Sequence, residues 1–134
     1  MVPATSLLYF QREVHIMQQQ STYSANGDLV LSLSGEMDAH GCSQIRPTLE
    51  EIVATAQDKN VLLDLNKVEF IDSSGIGAIV YLFKRLKAQQ QTLVIRGVHG
   101  QPKELMELLR VGSAIPISFS TDHTQSSGDN QCTV

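Results

Sequence analysis

A chain of 134 residues with 42% hydrophobic content is long enough for one domain with a real core. Its net charge of −4, its pI near 5.4 and the lack of any Lys/Arg-rich run argue against direct binding to nucleic acid, which needs a basic face. No apolar run approaches the roughly 20 residues that span a bilayer, Leu7–Phe10 is too short for a signal-peptide core, and Cys42 and Cys132 read as thiols of a reducing compartment rather than a disulfide scaffold, so the expectation is a cytoplasmic protein.

Residues 1–13 carry no clear period and read as an N-terminal extension. Val14 to Tyr23 is polar and extended in character, a weak strand at an edge. Ser24-Ala25-Asn26-Gly27-Asp28 is a turn signal. Leu29–Leu33 is then a strand, so the two form a hairpin, and Gly35-Glu36-Met37-Asp38 closes the second strand. A helix follows over about 41–57, with Ile45, Leu49, Ile52, Val53 and Ala56 on one face. Pro47 fits it only in a first turn, where its missing N–H would have no partner.

Val61–Leu65 reads as a central strand, apolar on both faces and covered by helices. A short loop and a second apolar group (Val68, Phe70, Ile71) lead into Asp72-Ser73-Ser74-Gly75. The next helix, about 74–89, buries Ile76, Ile79, Val80, Phe83 and Leu86, and Lys84, Arg85 and Lys87 suit its C-terminal dipole. Thr92–Arg96 is a strand and Gly97–Gln101 a loop. A helix opens at Pro102, turns Leu105, Leu108 and Leu109 inward, and stops at Gly112. Ile115–Phe119 is a last short strand. The residues after Thr121 form a polar tail, read as disordered. The fold class is therefore α/β, a mixed sheet with packed helices in the order β-β-α-β-α-β-α-β, with the domain over residues 14–120. The extension at 1–13 and the tail at 121–134 are expected to be dispensable for folding.

The chemistry concentrates at Asp72-Ser73-Ser74-Gly75. There an apolar strand hands over to a helix, whose N-terminus exposes free N–H groups and favours anions, including a phosphate on a serine. A helix cap alone accounts for one such residue; three polar residues before the glycine exceed that need. A hydrolase is disfavoured, because the G-x-S-x-G elbow is absent and His15, His40, His99 and His123 are scattered. Gly75-Ile76-Gly77 lacks the third glycine of a dinucleotide loop, and close helix–sheet packing accounts better for Gly77. His40 and Cys42 read as structural rather than as metal ligands, with Cys42 somewhat acidified by the helix end. The site reading holds no metal and no cofactor.

The stretch VLLDLNKVEFIDSSGIGAIV, from Val61 to Val80, resembles the signature of anti-sigma-factor antagonists, the bacterial branch of the STAS domain family. Gly35-Glu36-Met37-Asp38 matches that family's acidic turn after the early strand, and the resemblance spans about 17–119. It implies a non-catalytic switch protein. Such proteins bind an anti-sigma factor that is also a serine kinase, release it when the first serine of Asp-Ser-Ser-Gly is phosphorylated, and are reset by a serine phosphatase. That serine corresponds to Ser73. The docking face would comprise Asp72, Ser73, Ser74 and Gly75 with Gly35, Glu36 and Asp38, on a protein that is a monomer when free. Two other functions stay open on the residues: an accessory STAS subunit docking on a membrane transporter, and a small-molecule binder that holds an anion at the helix N-terminus.

Overall fold

The computed structural model describes residues 16–119. The chain runs β1 (Gln18–Tyr23), β2 (Leu29–Met37), α1 (Ala39–Thr55), β3 (Val61–Ile71), α2 (Ser73–Ala88), β4 (Leu93–Val98), α3 (Gly100–Leu108), a 3-10 turn (Val111–Ser113) and β5 (Ile117–Phe119). This is the order expected from the sequence. The five strands form one sheet in the order β1-β2-β3-β4-β5. β1 pairs antiparallel with β2, and the remaining pairs are parallel.

Period-two patterning sets the core. Leu31, Leu63 and Ile95 lie in one cross-strand row and are buried. Ile45 and Leu49 of α1 and Ile79 and Leu82 of α2 close over Leu33 and Leu63 of that face. Residues of the other parity differ. Ser32, Asp64 and Arg96 form a polar row, in which the Arg96 guanidinium meets Asp64 at 3.3 Å in the open. β3 is therefore not apolar and covered on both faces, as the sequence had suggested. Gln91 is a buried polar side chain, and its amide donates to the carbonyls of Ala56 and Lys59 just past the end of α1.

Several local expectations are corrected. Asn66 and Lys67 do not form a loop: they are exposed residues inside one continuous strand of 11 residues. Register shifts in β2 between Ser32 and Ser34 and between Gly35 and Glu36 absorb the change, and burial moves from Val61, Leu63 and Leu65 to Val68 and Ile71. Gly35-Glu36-Met37 is not a turn but the end of β2. Pro47 sits inside α1, well past the first turn. It is tolerated on the exposed face, where the carbonyl it leaves without a donor reaches water.

In α2 the buried residues are Gly75, Ile79, Leu82 and Leu86, while Ile76, Val80 and Phe83 are half-buried at its flanks. α3 buries Pro102 and Met106, with Leu105 half-buried, and leaves Leu108 76% and Leu109 50% exposed. Leu108 is its last residue and lies about 200° round the helix from buried Met106, on the outer face, and Leu109 is already the C-cap. Its stop is Arg110, in the left-handed region at φ 56°, and Gly112 falls within the 3-10 turn. The N-terminal extension, the Leu7–Phe10 patch and the tail lie outside the described residues.

Candidate functional site: paired helix N-termini beside Ser73

β2 and β3 end at the same level, because Met37 and Ile71 are register partners in a parallel pair. Each strand is followed at once by an aspartate that caps a helix. Asp38 Oδ1 accepts from the Gly41 N–H at 2.8 Å. Asp72 Oδ1 accepts from the Ser74 N–H at 2.8 Å and the Gly75 N–H at 3.3 Å. Such caps stabilise a helix by about 0.5–2 kcal/mol each. The Asp72 N–H donates to Met37 O at 3.3 Å, which ties the two strand ends together. Two helix N-termini thus stand side by side beyond the carboxyl ends of adjacent parallel strands, the place where open α/β sheets carry their sites.

The two turns share one pattern, Asp-x-x-Gly (Asp38 to Gly41, Asp72 to Gly75). Both glycines are buried, and both are demanded by contact. A Cβ on Gly41 would strike the Glu36 carbonyl oxygen and reach Met17 Cγ at 2.7 Å. One on Gly75 would strike Ile71 Cγ1 and reach Met37 O at 2.7 Å. Gly77, expected to pack closely, meets nothing within 4 Å. It is one position from the packed face and opens onto a groove. Gly35 keeps φ at +116° and lets the backbone of Ile16 and Met17 pass beside it.

Asp72, Ser73, Ser74 and Gly75 thus come together with Asp38 at one end of the sheet. Ser73 is the first residue of α2 and is exposed. Ser74 and Asp72 are half-buried, and among the described residues no hydrogen bond engages either serine hydroxyl. Gly35 and Glu36 lie in the last part of β2; Glu36 is exposed and pairs with Phe70.

Gln101 was not singled out from the sequence. Its side-chain amide makes a two-way pair with the Ile71 backbone: the Ile71 N–H donates to Oε1 at 2.9 Å, and Nε2 donates to the Ile71 carbonyl at 2.8 Å. The β3–β4 pairing has ended by then, at Asp64 and Arg96, so Gln101 stands in for a strand neighbour and fixes the residue before Asp72. No local sequence signal marks it. Gly41 was also passed over, although the repeated Asp-x-x-Gly spacing carries that signal.

A groove of about 390 Å³ begins at this end and runs between α1 and α2. Cys42, Leu49 and Ala78 line it with Arg46, Glu50, Ser74, Gly77 and Tyr81. Burial pushes the Cys42 thiol up, the Asp72 and Asp38 carboxylates push it further, and Arg46 pulls it partly back. The acidification expected from the helix end is thus reversed. The thiol stays neutral in the fold to higher pH than in the unfolded chain. Its burial therefore costs stability as pH rises from the ordinary thiol range toward the raised folded value. Cys42 is expected to resist alkylation by iodoacetamide at pH 8 in the native protein and to react in urea, read by peptide mapping. Equal native and denatured rates would contradict this account. Among the described residues no group of three or more His, Cys, Asp or Glu side chains gathers to hold a metal, and no helix is long and apolar enough to cross a membrane.

The model of the STAS domain matches residues 19–124. The chain belongs to the STAS domain family. An anti-sigma F factor antagonist of Paenibacillus polymyxa is 28% identical over 91 residues, covering 68% of this chain and 78% of that one. An anti-sigma-B factor antagonist of Listeria monocytogenes is 33% identical over 86 residues, covering 63% and 74%. The solved structure of the Bacillus cell fate determinant SpoIIAA in its phosphorylated form superposes with a TM-score of 0.61 at 19% identity, over 78% of this chain and 93% of that one. This last likeness is one of fold.

Proposed function

We propose that this STAS domain is an anti-sigma-factor antagonist: a non-catalytic, cytoplasmic partner-switching protein. In its unmodified form it holds an anti-sigma factor with serine kinase activity, and it lets go when Ser73 is phosphorylated. A serine phosphatase restores the binding form. Asp72, Ser73, Ser74 and Gly75 make the docking face, with Asp38, Glu36 and Gly35 beside them. The observation that carries the reading is the setting of Ser73, an exposed hydroxyl with no described hydrogen bond at the tip of α2. The antagonist names of the Paenibacillus and Listeria relatives support it.

The site's electrostatics favour a switch that acts on docking. The free N–H groups of Ser74 and Gly75 are already taken by the Asp72 carboxylate. A phosphate on Ser73, with a charge of roughly −1.5 to −2, therefore cannot use those donors without displacing Asp72. It adds charge to a surface that already holds Asp38, Asp72 and Glu36. A transporter-docking subunit would need no accessible serine here. The reading is tested by capturing partners from the source cell with wild type and with Ser73→Asp. A protein kinase of the anti-sigma type is expected on wild type and lost from Ser73→Asp. Recovery of the same partners on both would count against it.

A further inference from the structure

We propose that two copies of this chain associate through the free edge of β1, adding strand to strand across a two-fold axis perpendicular to the sheet. This is independent of the phosphoserine reading and departs from the free monomer expected from the sequence.

Backbone directions set the geometry. The Leu29 N–H bonds to Asn60 O at 2.9 Å, on the β3 side, and the Ser24 N–H bonds to Asp28 O at 2.9 Å. In an antiparallel ladder, opposed residues alternate between bonded and non-bonded pairs. Tyr23, the partner of Leu29, therefore turns its N–H and C=O away from β2, and so do Ser21 and Gln19. Among the described residues nothing bonds to these groups. Turned about a two-fold at Ser21, they satisfy one another: Ser21 opposite the partner's Ser21, and Gln19 opposite the partner's Tyr23. Both pairs join residues of the same parity, so side chains stay on matching faces.

The composition of β1 lacks the usual protection of an edge. Its six residues, QQQSTY, include no charge and no proline, and all are exposed. Every one is in unbroken register with β2, so no bulge turns the edge aside. Natural edges are normally blunted by such devices. The opposite edge is blunted here: β5 has three residues and follows Pro116. All six β1 side chains are exposed, so among the described residues no helix of one copy stands over the joint. A second copy fits better than an unrelated peptide because length, register and polarity are matched by the strand itself. Pairing of one short polar strand buries little area, below the ~1,200 Å² of stable complexes, so the dimer dissociates on dilution.

Sedimentation equilibrium of the full chain over a wide concentration range tests this. Wild type is expected to rise from 14.7 kDa toward twice that mass. Ser21→Pro removes an outward N–H and spares the bonds to β2, since proline is tolerated on strand edges; it is expected to stay monomeric at every concentration. Ser21→Lys, which sets two like charges opposite each other, provides the same reading should the proline variant fail to fold. Leu108→Ser, at the exposed end of α3, is expected to associate as wild type does. A wild type that stays monomeric, or association that survives both Ser21 variants, would overturn the proposal.

Discussion

Gly75→Ala is expected to destabilise the domain while Gly77→Ala stabilises it, although the two glycines are separated by one residue of the same helix. A methyl at Gly75 would collide with the Ile71 side chain and crowd Met37 O and Met37 Cβ, all three contacts lying at the ends of strands β2 and β3. Overpacking of this kind costs about 1–3 kcal/mol or more. Relief is limited, because Ile71 is pinned by Gln101 and Met37 by the ladder. The gain in helix propensity from glycine to alanine, at most about 1 kcal/mol, does not offset it. At Gly77 no atom lies within reach, so that same gain is realised in full. Denaturant unfolding of the two variants reads the sign directly. For a domain of this size a difference of 2 kcal/mol between them corresponds to roughly 8 °C or more in Tm. Equal stabilities would show that α2 does not start where Asp72 places it.

The second large effect concerns binding. Ser73→Asp is expected to weaken the complex with the anti-sigma factor kinase by roughly 100-fold or more, while Ser73→Ala binds as tightly as wild type. An unpaired charge desolvated in an interface costs several kcal/mol, and each ~1.4 kcal/mol is a factor of ten in affinity. Neither substitution should change the fold's stability by more than about 0.5 kcal/mol, as is usual for exposed positions. The Ser73 side chain is exposed, and the cap is supplied by Asp72 rather than by Ser73. Calorimetric titration of the three forms, with their melting temperatures, separates an effect on docking from an effect on folding. A fall in affinity matched by a large fall in Tm would assign the switch to unfolding.

Where one physical signal dominated, the sequence could be read directly. The leucines of Leu29–Leu33 alternate with a period of two, the apolar run Val61–Leu65 marks the neighbouring strand, and the change of period at Asp72 places the start of α2 within one residue of Ser73. Failures came where tertiary contact outweighed local pattern. Asn66 and Lys67 look like a loop because they are polar. The bulges of β2 on one side, and on the other the Asn66 carbonyl held by His99 Nε2 at 2.7 Å, keep them in a strand. Leu108 and Leu109 fit an inward helical stripe, yet α3 turns Pro102 and Met106 to the core, which leaves Leu108 on its outer face and Leu109 at its C-cap. At the site, the serines and aspartates were legible as a motif. The contribution of Gln101, 30 residues from Ile71 in sequence, was not, because only the packing of α3 against β3 brings it there.

The switch turns on Ser73, and one measurement tests it most directly. The full chain is incubated with its anti-sigma factor kinase and ATP, the phosphate is mapped by mass spectrometry, and the affinity of the modified protein is measured. A single phosphate on Ser73, retained in Ser74→Ala and lost in Ser73→Ala, with at least about tenfold weaker binding of the modified form, is the expected result. A phosphate confined to Ser74, or a Ser73-phosphorylated protein that binds as tightly as the unmodified one, would contradict it.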